Sequence, residues 1–265
     1  MRHDLYQDLY VKEQDYWWHV GKRAIVYSLL ERYRDRQRGI PSGRALDLGC
    51  GTGLNLDFLS HYARPVGTDF SEEALRFCRE RGHQLLCKAD AAALPFQDGE
   101  FDIITALDVI EHLDDDLAAL TEIRRVLRPG GLVIISVPAY PALWSYWDDI
   151  LGHRRRYTTK MMEAVVRKSG LRLRRVSYSN AAILLPTVLL RVMKAAQGKV
   201  AANRGQSSDP ESDFIPVPTW LNKALTAYYR VEARLLARRS LPFGLSVVCV
   251  AQRDPNYELR ITNYE

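Results

Sequence analysis

The segment ALDLGCGTG, residues 45–53, decides the fold of this chain. A strand pattern runs into three glycines, Gly49, Gly51 and Gly53, and a helical pattern follows. Glycine lets the backbone turn tightly and approach a ligand without a Cβ clash, and the next helix start offers free N–H groups. Sixteen residues past Gly53 a second strand ends at Asp69, whose carboxylate can accept both hydroxyls of a ribose. The segment therefore predicts a nucleoside-binding site at the C-terminal edge of a sheet.

Outward from this segment, short apolar runs alternate with helical patterns from about residue 44 onward. The strand patterns are RALDLG, RPVGTD, QLLCKA, FDIITAL, GLVIISVP, LRLRRVSYS and LSVVCVAQR. The helical patterns are LNLDFLSHY, SEEALRFCRERG, DDLAALTEIRRVLRPGG and TTKMMEAVVRKSG, the last with a threonine cap at Thr158 or Thr159. Strands that alternate with helices predict a parallel sheet with right-handed crossovers.

The glycine spacing separates two classes of nucleotide-binding protein. Nicotinamide enzymes use G-x-G-x-x-G, whereas this chain has G-x-G-x-G preceded by Asp47. The segment closely resembles motif I of class I S-adenosylmethionine-dependent methyltransferases with a type 11/12-like domain. The resemblance covers about residues 40–140 and continues in order through VGTDFS, CKADAAALPFQDGEFDII, ALDVIEHLDD and EIRRVLRPGGLVIISVP. It implies an α/β fold with a Rossmann-like, seven-stranded, mostly parallel sheet, helices on both faces, and S-adenosylmethionine as cofactor.

The resemblance also assigns cofactor-binding roles by position. The methionine end of the cofactor is expected to meet a set formed by Asp47 and the glycine loop: Asp47, Gly49, Cys50, Gly51 and Gly53. The adenosine end is expected to meet a second set, with Asp69 on the ribose, Phe70 on the adenine ring, and Asp90 with Ala91 at the adenine amino group. Leu107 should line the pocket, and Asp108 beside it belongs to the same set.

Four regions make up the predicted domain organisation. Residues 1–40 form an N-terminal helical cap, with one helix from roughly Gln14 to Arg38, and residues 41–180 with 241–254 form the methyltransferase core. Residues 181–240 form a helical insertion with a polar, mobile linker at about 198–215 and a helix in PTWLNKALTAYYRVEARLLARRS; residues 255–265 are a tail. The apolar run AAILLPTVLLRVM is too short to span a membrane, which leaves a lid, a dimer face, an interfacial helix or an ordinary packed helix.

Two histidines are candidates for a catalytic base. The sulfonium methyl is already electrophilic, so the protein must align a nucleophile and exclude water, and a base helps when that nucleophile is a hydroxyl. His112 follows the fourth strand and His153 follows the fifth, both at the edge where such sheets bind ligands. A capping or packing role for His112 stays open. Asp108, Glu111, His112 and His153 could also form a metal site, although we expect none.

Three variable segments are expected to shape the acceptor pocket. They are DYWWHVGKR at 15–23, the loop PAYPALWSYWDDILGHRRRYT after the fifth strand, and the insertion. Lys22 and Arg23 could reach the cofactor carboxylate. His153 and Tyr157 are expected to face the pocket, and Arg155 or Arg156 to meet an anion, with the other arginines solvated or paired with Asp148 and Asp149. The candidate substrate residues are Trp17, Trp18, Arg23, Tyr140, Trp144, Tyr146, His153, Arg156 and Tyr157.

Charge and cysteine content narrow the choice of function. Residues 1–140 carry a net charge of −5 and residues 141–265 a net charge of +10. The four cysteines show no CxxC pair, and the N-terminus has no apolar signal region, so we expect a cytoplasmic protein with reduced thiols. The first hypothesis is methylation of a small-molecule, lipid-linked or glycan-linked acceptor by a monomer or homodimer, with optional contact to an anionic membrane surface. The alternatives are an RNA or protein methyltransferase and a non-catalytic cofactor-binding scaffold; no nucleic acid is expected as partner.

Overall fold

The structure is a computed structural model that describes residues 3–34, 43–189 and 217–255, with side chains from residue 6 onward. Within those ranges the strands are β1 (Arg44–Leu48), β2 (Arg64–Asp69), β3 (Leu86–Lys88), β4 (Phe101–Leu107), β5 (Leu127–Pro138), β6 (Leu171–Ser179) and β7 (Ser246–Arg253). The helices are α1 (His3–Lys12), α2 (Trp17–Tyr33), α3 (Leu54–Leu59), α4 (Glu72–Glu80), α5 (Asp116–Val126), α6 (Tyr146–Leu151), α7 (Thr159–Lys168) and α8 (Thr219–Leu236).

One sheet contains these seven strands in the order β3-β2-β1-β4-β5-β7-β6. β7 pairs antiparallel with both of its neighbours, and the other pairs are parallel. The chain builds outward from β1 in one direction and then restarts from β4 in the other. The point between β1 and β4 is therefore a topological switch point, where open α/β sheets bind their ligands. The predicted fold class is confirmed.

Both faces of the sheet are covered, because successive strand residues point to opposite sides. Ile104 and Val133 face a cluster that includes α5 and α7, whereas Ile103 and Ile134 face a cluster that includes α2, α3 and α8. These central strands are buried on both faces, which explains their nearly continuous apolar sequences.

The N-terminal cap differs from the single helix predicted over Gln14–Arg38. It contains two helices, α1 and α2, and residues 35–42 lie outside the described part of the chain. Tyr6 is buried against α4, and the Tyr10 ring lies 5.1 Å from the Phe77 ring. The sequence of α1 shows only a weak amphipathic pattern, because only the narrow stripe with Tyr6 and Tyr10 packs against α4.

Helix α8, which the sequence assigns to the helical insertion, belongs to the layer that covers the core. Ser28 of α2 donates a hydrogen bond to the Ala233 carbonyl (2.9 Å), and the rings of Trp17 and Tyr229 lie 5.7 Å apart. Residues 184–189 form a short helix on which Leu185 and Leu189 are exposed. The predicted linker at 198–215 lies outside the described residues. Among the described residues, none of the helices is long and apolar enough to cross a membrane.

The segment after β5 also contains regular structure where a loop was expected. A 3₁₀ helix (Pro141–Leu143) and then α6 precede Gly152, whose φ of +75° ends α6. Asp148 is buried in α6, where its carboxylate accepts hydrogen bonds from the Ser145 N–H (2.7 Å) and from Arg156 Nε (2.7 Å). The N-cap of the next helix, α7, is Thr158, whose side chain accepts a hydrogen bond from the Met161 N–H. Helix α5 ends at Val126, short of the predicted RPGG stop, because β5 begins at Leu127.

The α2–α8 contact leads to a test of packing against helix propensity. A Cβ added at Gly21 would lie 2.7 Å from Tyr229 Cδ1 and 2.9 Å from Tyr229 Cβ. Gly21→Ala should therefore lower the free energy of unfolding by about 1–3 kcal/mol through overpacking. Helix propensity alone would raise it by about 1 kcal/mol. Urea unfolding of both proteins measures the sign of the change in the free energy of unfolding.

The control is a double-mutant cycle with Tyr229→Ala. In that background the ring is gone and only the contact with the Cβ of residue 229 remains, so Gly21→Ala should destabilise the protein much less. Equal costs in both backgrounds would contradict the packing explanation.

Candidate functional site

The loop between β1 and α3 holds three glycines with positive φ: Gly49 at +68°, Gly51 at +54° and Gly53 at +91°. A side chain at Gly49 would collide with Val109, and one at Gly53 would meet Cys78 Sγ at 2.9 Å. A Cβ at Gly51 would meet Leu9 Cδ2 at 3.7 Å and no other heavy atom within 4 Å. Gly49 and Gly53 therefore serve close packing, whereas Gly51 borders open space.

Asp69 ties this loop to the end of β2. Its Oδ2 accepts a hydrogen bond from the Gly51 N–H (3.0 Å), and its Oδ1 accepts one from the Ser71 N–H (2.8 Å). Burial raises the pKa of Asp69, and these N–H groups oppose that rise. Each carboxylate oxygen keeps a further lone pair that a ligand hydroxyl can use.

Asp47 lies beneath the loop and is buried. Its Oδ1 accepts hydrogen bonds from Asn55 Nδ2 (2.8 Å) and Thr105 Oγ1 (2.6 Å), and Tyr27 donates to Asn55 Oδ1 (2.8 Å). Burial raises the pKa of Asp47 to about 7. Asp47 thus connects β1, β4 and α3 at the switch point.

The residues predicted for the adenine end lie at the same edge of the sheet. Phe70 is 75% exposed, and Lys88 Nζ lies 6.0 Å from its ring centre. Asp90 is exposed and accepts a hydrogen bond from the Ala92 N–H (2.9 Å), while Ala91 is buried. An aromatic face and a carboxylate are therefore available to a ligand here. The Cys50 side chain packs with Leu56, Leu75 and Cys78, so the predicted contact of Cys50 with the cofactor is left to its backbone.

A hydrogen-bonded cluster that the sequence did not reveal joins the N-terminal cap to the glycine loop. Thr52 of the loop donates to the carboxylate of Glu13, which also accepts from Arg81 Nη2 (2.6 Å). Arg81 Nε donates in turn to the Thr52 carbonyl (2.8 Å). Glu13, Thr52 and Arg81 are 29 to 68 positions apart in the sequence, and no sequence pattern links them.

At the end of β4, Asp108 adopts φ +55° and pairs with Lys22 of α2. Lys22, predicted to reach the cofactor carboxylate, is thus bound to a protein carboxylate in this structure. His19 lies nearby, and burial followed by the charges of Lys22 and Arg23 lowers its pKa to about 3. Leu107 is partly buried against the α2–α8 cluster.

The two predicted histidines lie side by side, with ring centres 4.8 Å apart. His112 belongs to the 3₁₀ helix Ile110–His112, and burial followed by the neighbouring His153 lowers its pKa. Glu111 is buried next to them, and one ligand atom from each of the three residues lies within 4.8 Å of the others. They could together hold a metal ion.

Two predictions for the arginine-rich segment, those for Arg156 and Tyr157, are wrong. Arg156 is buried, with its guanidinium bound to Asp148 and to the Ala139 carbonyl (3.0 Å), so it cannot meet a substrate anion. Arg155 donates to the carbonyls of Leu113 (3.0 Å) and Asp114 (2.6 Å) and pairs with Asp116. Tyr157 packs in the core, and its hydroxyl donates to Asp116 (2.8 Å), so it does not face a pocket. Asp148 pairs with Arg156, whereas Arg154 and Arg155 pair with Asp114 and Asp116.

The aromatic candidates divide into packed and exposed residues. Trp17 packs on Tyr229, and the Tyr140 ring stacks on Tyr178 at 4.9 Å. Trp144 and Tyr146 are 40% and 60% exposed, with Trp144 Nε1 donating to Asp149. Two other candidates lie on α2: Trp18 lies 5.5 Å from Lys22 Nζ, and Arg23 packs over Phe58 and donates to the Gln14 carbonyl (3.3 Å).

Comparison with known proteins agrees with this geometry. Residues 46–135 match the family described as Methyltransferase domain. A 37.1 kDa protein encoded in transposon TN4556 of Streptomyces fradiae, itself uncharacterised, is 31% identical over 191 residues, 66% of this chain and 55% of that protein. Demethylmenaquinone methyltransferase of Staphylococcus aureus is 37% identical over 117 residues, 41% of this chain and 48% of that enzyme.

Solved structures share the fold across nearly the whole chain. The protein bound to the Trm112 methyltransferase activator in a Haloferax volcanii complex superposes with a TM-score of 0.58, at 18% identity, over 95% of this chain and 94% of that one. This chain spans only about half the length of the curated relatives that it matches. The strand order, the glycine loop with Asp69 and the family match together identify a class I S-adenosylmethionine-dependent methyltransferase domain in this chain.

Proposed function

We propose that the protein binds S-adenosylmethionine and transfers its methyl group to a small-molecule, lipid-linked or glycan-linked acceptor, releasing S-adenosylhomocysteine. The observation that carries the proposal is the hydrogen bond from Gly51 to Asp69, which fixes an open glycine loop beside a strand-end carboxylate. With the cofactor bound, Asp69 would accept the ribose hydroxyls, Phe70 would cover the adenine, and the loop N–H groups would meet the methionine end.

In this proposal the chain acts mainly by positioning. The acceptor nucleophile attacks the methyl carbon from the side opposite to sulfur, the carbon–sulfur bond breaks, and its electron pair stays on sulfur. The cofactor supplies the activated methyl group, so the protein must align the acceptor and exclude water. The cap, held to the loop by Glu13, Thr52 and Arg81, would support both tasks, because it also brings Leu9 close to Gly51.

A proton released by a hydroxyl acceptor would pass to a neutral imidazole. His112 is one candidate, because burial lowers its pKa and so favours the neutral ring. His153 donates its Nδ1 proton to Asp148 (2.8 Å), which orients its ring and leaves Nε2 as the basic atom.

The surface around the site favours a small or lipid-linked acceptor over RNA. Arg154, Arg155 and Arg156 all pair with carboxylates of this chain, so the basic run offers little free charge to phosphates. The exposed rings of Trp144 and Tyr146 provide apolar surface, and one relative is named for demethylmenaquinone. We further propose that the protein is a cytoplasmic monomer or homodimer that makes peripheral contact with an anionic membrane. The exposed Leu185 and Leu189 support the membrane contact.

Gly51→Ala tests the cofactor loop. Its methyl group would enter the open space where we place the cofactor, so the affinity for S-adenosylmethionine should fall at least about tenfold, equivalent to about 1.4 kcal/mol. Isothermal titration calorimetry measures this loss. The matched control is Gly82→Ala, which also places a side chain at positive φ (+93°) and has no heavy atom within 4 Å of the new Cβ. Equal affinities for the two variants would contradict the placement.

Incubation with methyl-labelled S-adenosylmethionine and a fractionated cell extract tests the acceptor class. We expect label in the small-molecule or lipid fraction, and we expect Asp69→Ala to abolish it because the ribose contact is lost. Label confined to RNA or protein would contradict the proposed acceptor class. Tight cofactor binding without any transfer would favour the scaffold alternative.

A further inference from the structure

Glu111 is a buried carboxylate without a polar partner. Its side chain has no exposed surface, and neither carboxylate oxygen accepts a hydrogen bond from another residue. Leaving an isolated carboxylate uncompensated in the interior costs far more than an ordinary buried polar group. The two cations whose charges act on Glu111 are both engaged elsewhere: Lys22 pairs with Asp108, and Arg156 binds Asp148 and the Ala139 carbonyl. A carboxyl group in such a position either takes up a proton or meets a cation, and no described side chain supplies that cation through a direct bond.

The two histidines next to Glu111 have fixed tautomers. His112 Nδ1 lies 3.3 Å from the Gly152 carbonyl oxygen, and His153 Nδ1 lies 2.8 Å from Asp148 Oδ1. A carbonyl oxygen and a buried, arginine-bound carboxylate can only accept, so each Nδ1 carries the proton. The Nε2 atom of each ring then presents a lone pair, and within the described part of the chain neither Nε2 makes a hydrogen bond.

This is the arrangement that metal-binding histidines use. Their second ring nitrogen donates to a carboxylate or a carbonyl, which orients the ring and makes the ligating nitrogen more basic. Arg156 holds Asp148 in place through Nε (2.7 Å) and Nη2 (3.0 Å), and the Ser145 N–H donates to the same carboxylate. His153 is thus anchored by a chain of buried residues that ends at the Ala139 carbonyl.

We propose that Glu111, His112 and His153 bind a divalent transition-metal ion. Their ligand atoms lie within 4.8 Å of one another, and atoms about 2.1 Å from a shared ion stand about 3–4 Å apart, so small side-chain rotations close the site. Two imidazoles and one carboxylate suit ions such as Zn²⁺, Fe²⁺, Co²⁺ or Mn²⁺, whereas Mg²⁺ and Ca²⁺ prefer oxygen ligands. The proposal replaces our expectation from sequence that no metal is bound.

Three protein ligands leave a coordination position open, as in catalytic rather than structural metal sites. Glu111 and His112 follow β4 at the edge of the sheet that carries the glycine loop. With the ion bound, His112 Nε2 is a ligand and no longer the base, and an acceptor hydroxyl at the open position would instead have its pKa lowered and be held beside the methyl donor. This role rests on the proposed function, whereas the metal site itself does not.

The test is metal binding by the full chain in the absence of cofactor. The protein is stripped with a chelator and titrated with Co²⁺ by visible absorption, and with Zn²⁺ and Mg²⁺ by calorimetry. We expect one equivalent of Co²⁺ or Zn²⁺ per chain and much weaker binding of Mg²⁺. Glu111→Gln and His153→Ala should each weaken binding at least about tenfold. The controls Glu163→Gln and His61→Ala alter a half-buried and an exposed residue outside the cluster and should bind as the unmodified chain does.

Thermal unfolding separates metal binding from a structural role. Metal should raise the Tm of the unmodified protein but not that of Glu111→Gln, because the ion binds the folded state. Without metal, Glu111→Gln should be at least as stable as the unmodified chain, because the unpaired buried charge is gone. The proposal is overturned if no ion binds stoichiometrically, or if both ligand variants bind as the controls do. S-adenosylmethionine affinity, measured in parallel, reports separately on the proposed function.

Discussion

The hydrogen bond from the Gly51 N–H to Asp69 is the interaction on which the site depends. It joins the loop after β1 to the end of β2, and the second oxygen of Asp69 accepts from Ser71 at the start of α4. The loop can adopt this shape only because its glycines tolerate positive φ. One carboxylate therefore sets the loop, the strand end and the helix start that together face the switch point of the sheet.

Residues far outside the matched segment 46–135 complete the site. Glu13 bonds to the loop through Thr52, and Lys22 bonds to Asp108 at the end of β4. Helix α2, which carries Lys22, is in turn held by α8 through the close contact of Gly21 with Tyr229. The cap is thus anchored at both ends, to the glycine loop and to α8.

The sequence predicted the parts of this protein that depend on local pattern. The glycine loop, Asp69 and the alternation of strands and helices each follow from neighbouring residues, and the structure has them at the expected positions. The predictions for Arg156 and Tyr157 failed because each side chain is buried by contacts that no sequence pattern marks. Arg156 binds Asp148 and the Ala139 carbonyl, and Tyr157 binds Asp116. The Glu13–Arg81 pair could not be predicted for the same reason.

The central claim is that the Asp69 edge of the sheet holds the adenosine of the cofactor. The most direct measurement is a crystal structure of the protein with S-adenosylhomocysteine bound. We predict that both ribose hydroxyls lie about 2.7 Å from the Asp69 oxygens and that the adenine ring covers Phe70. A ligand bound elsewhere, or an adenosine that leaves Asp69 and Phe70 without contact, would contradict the account.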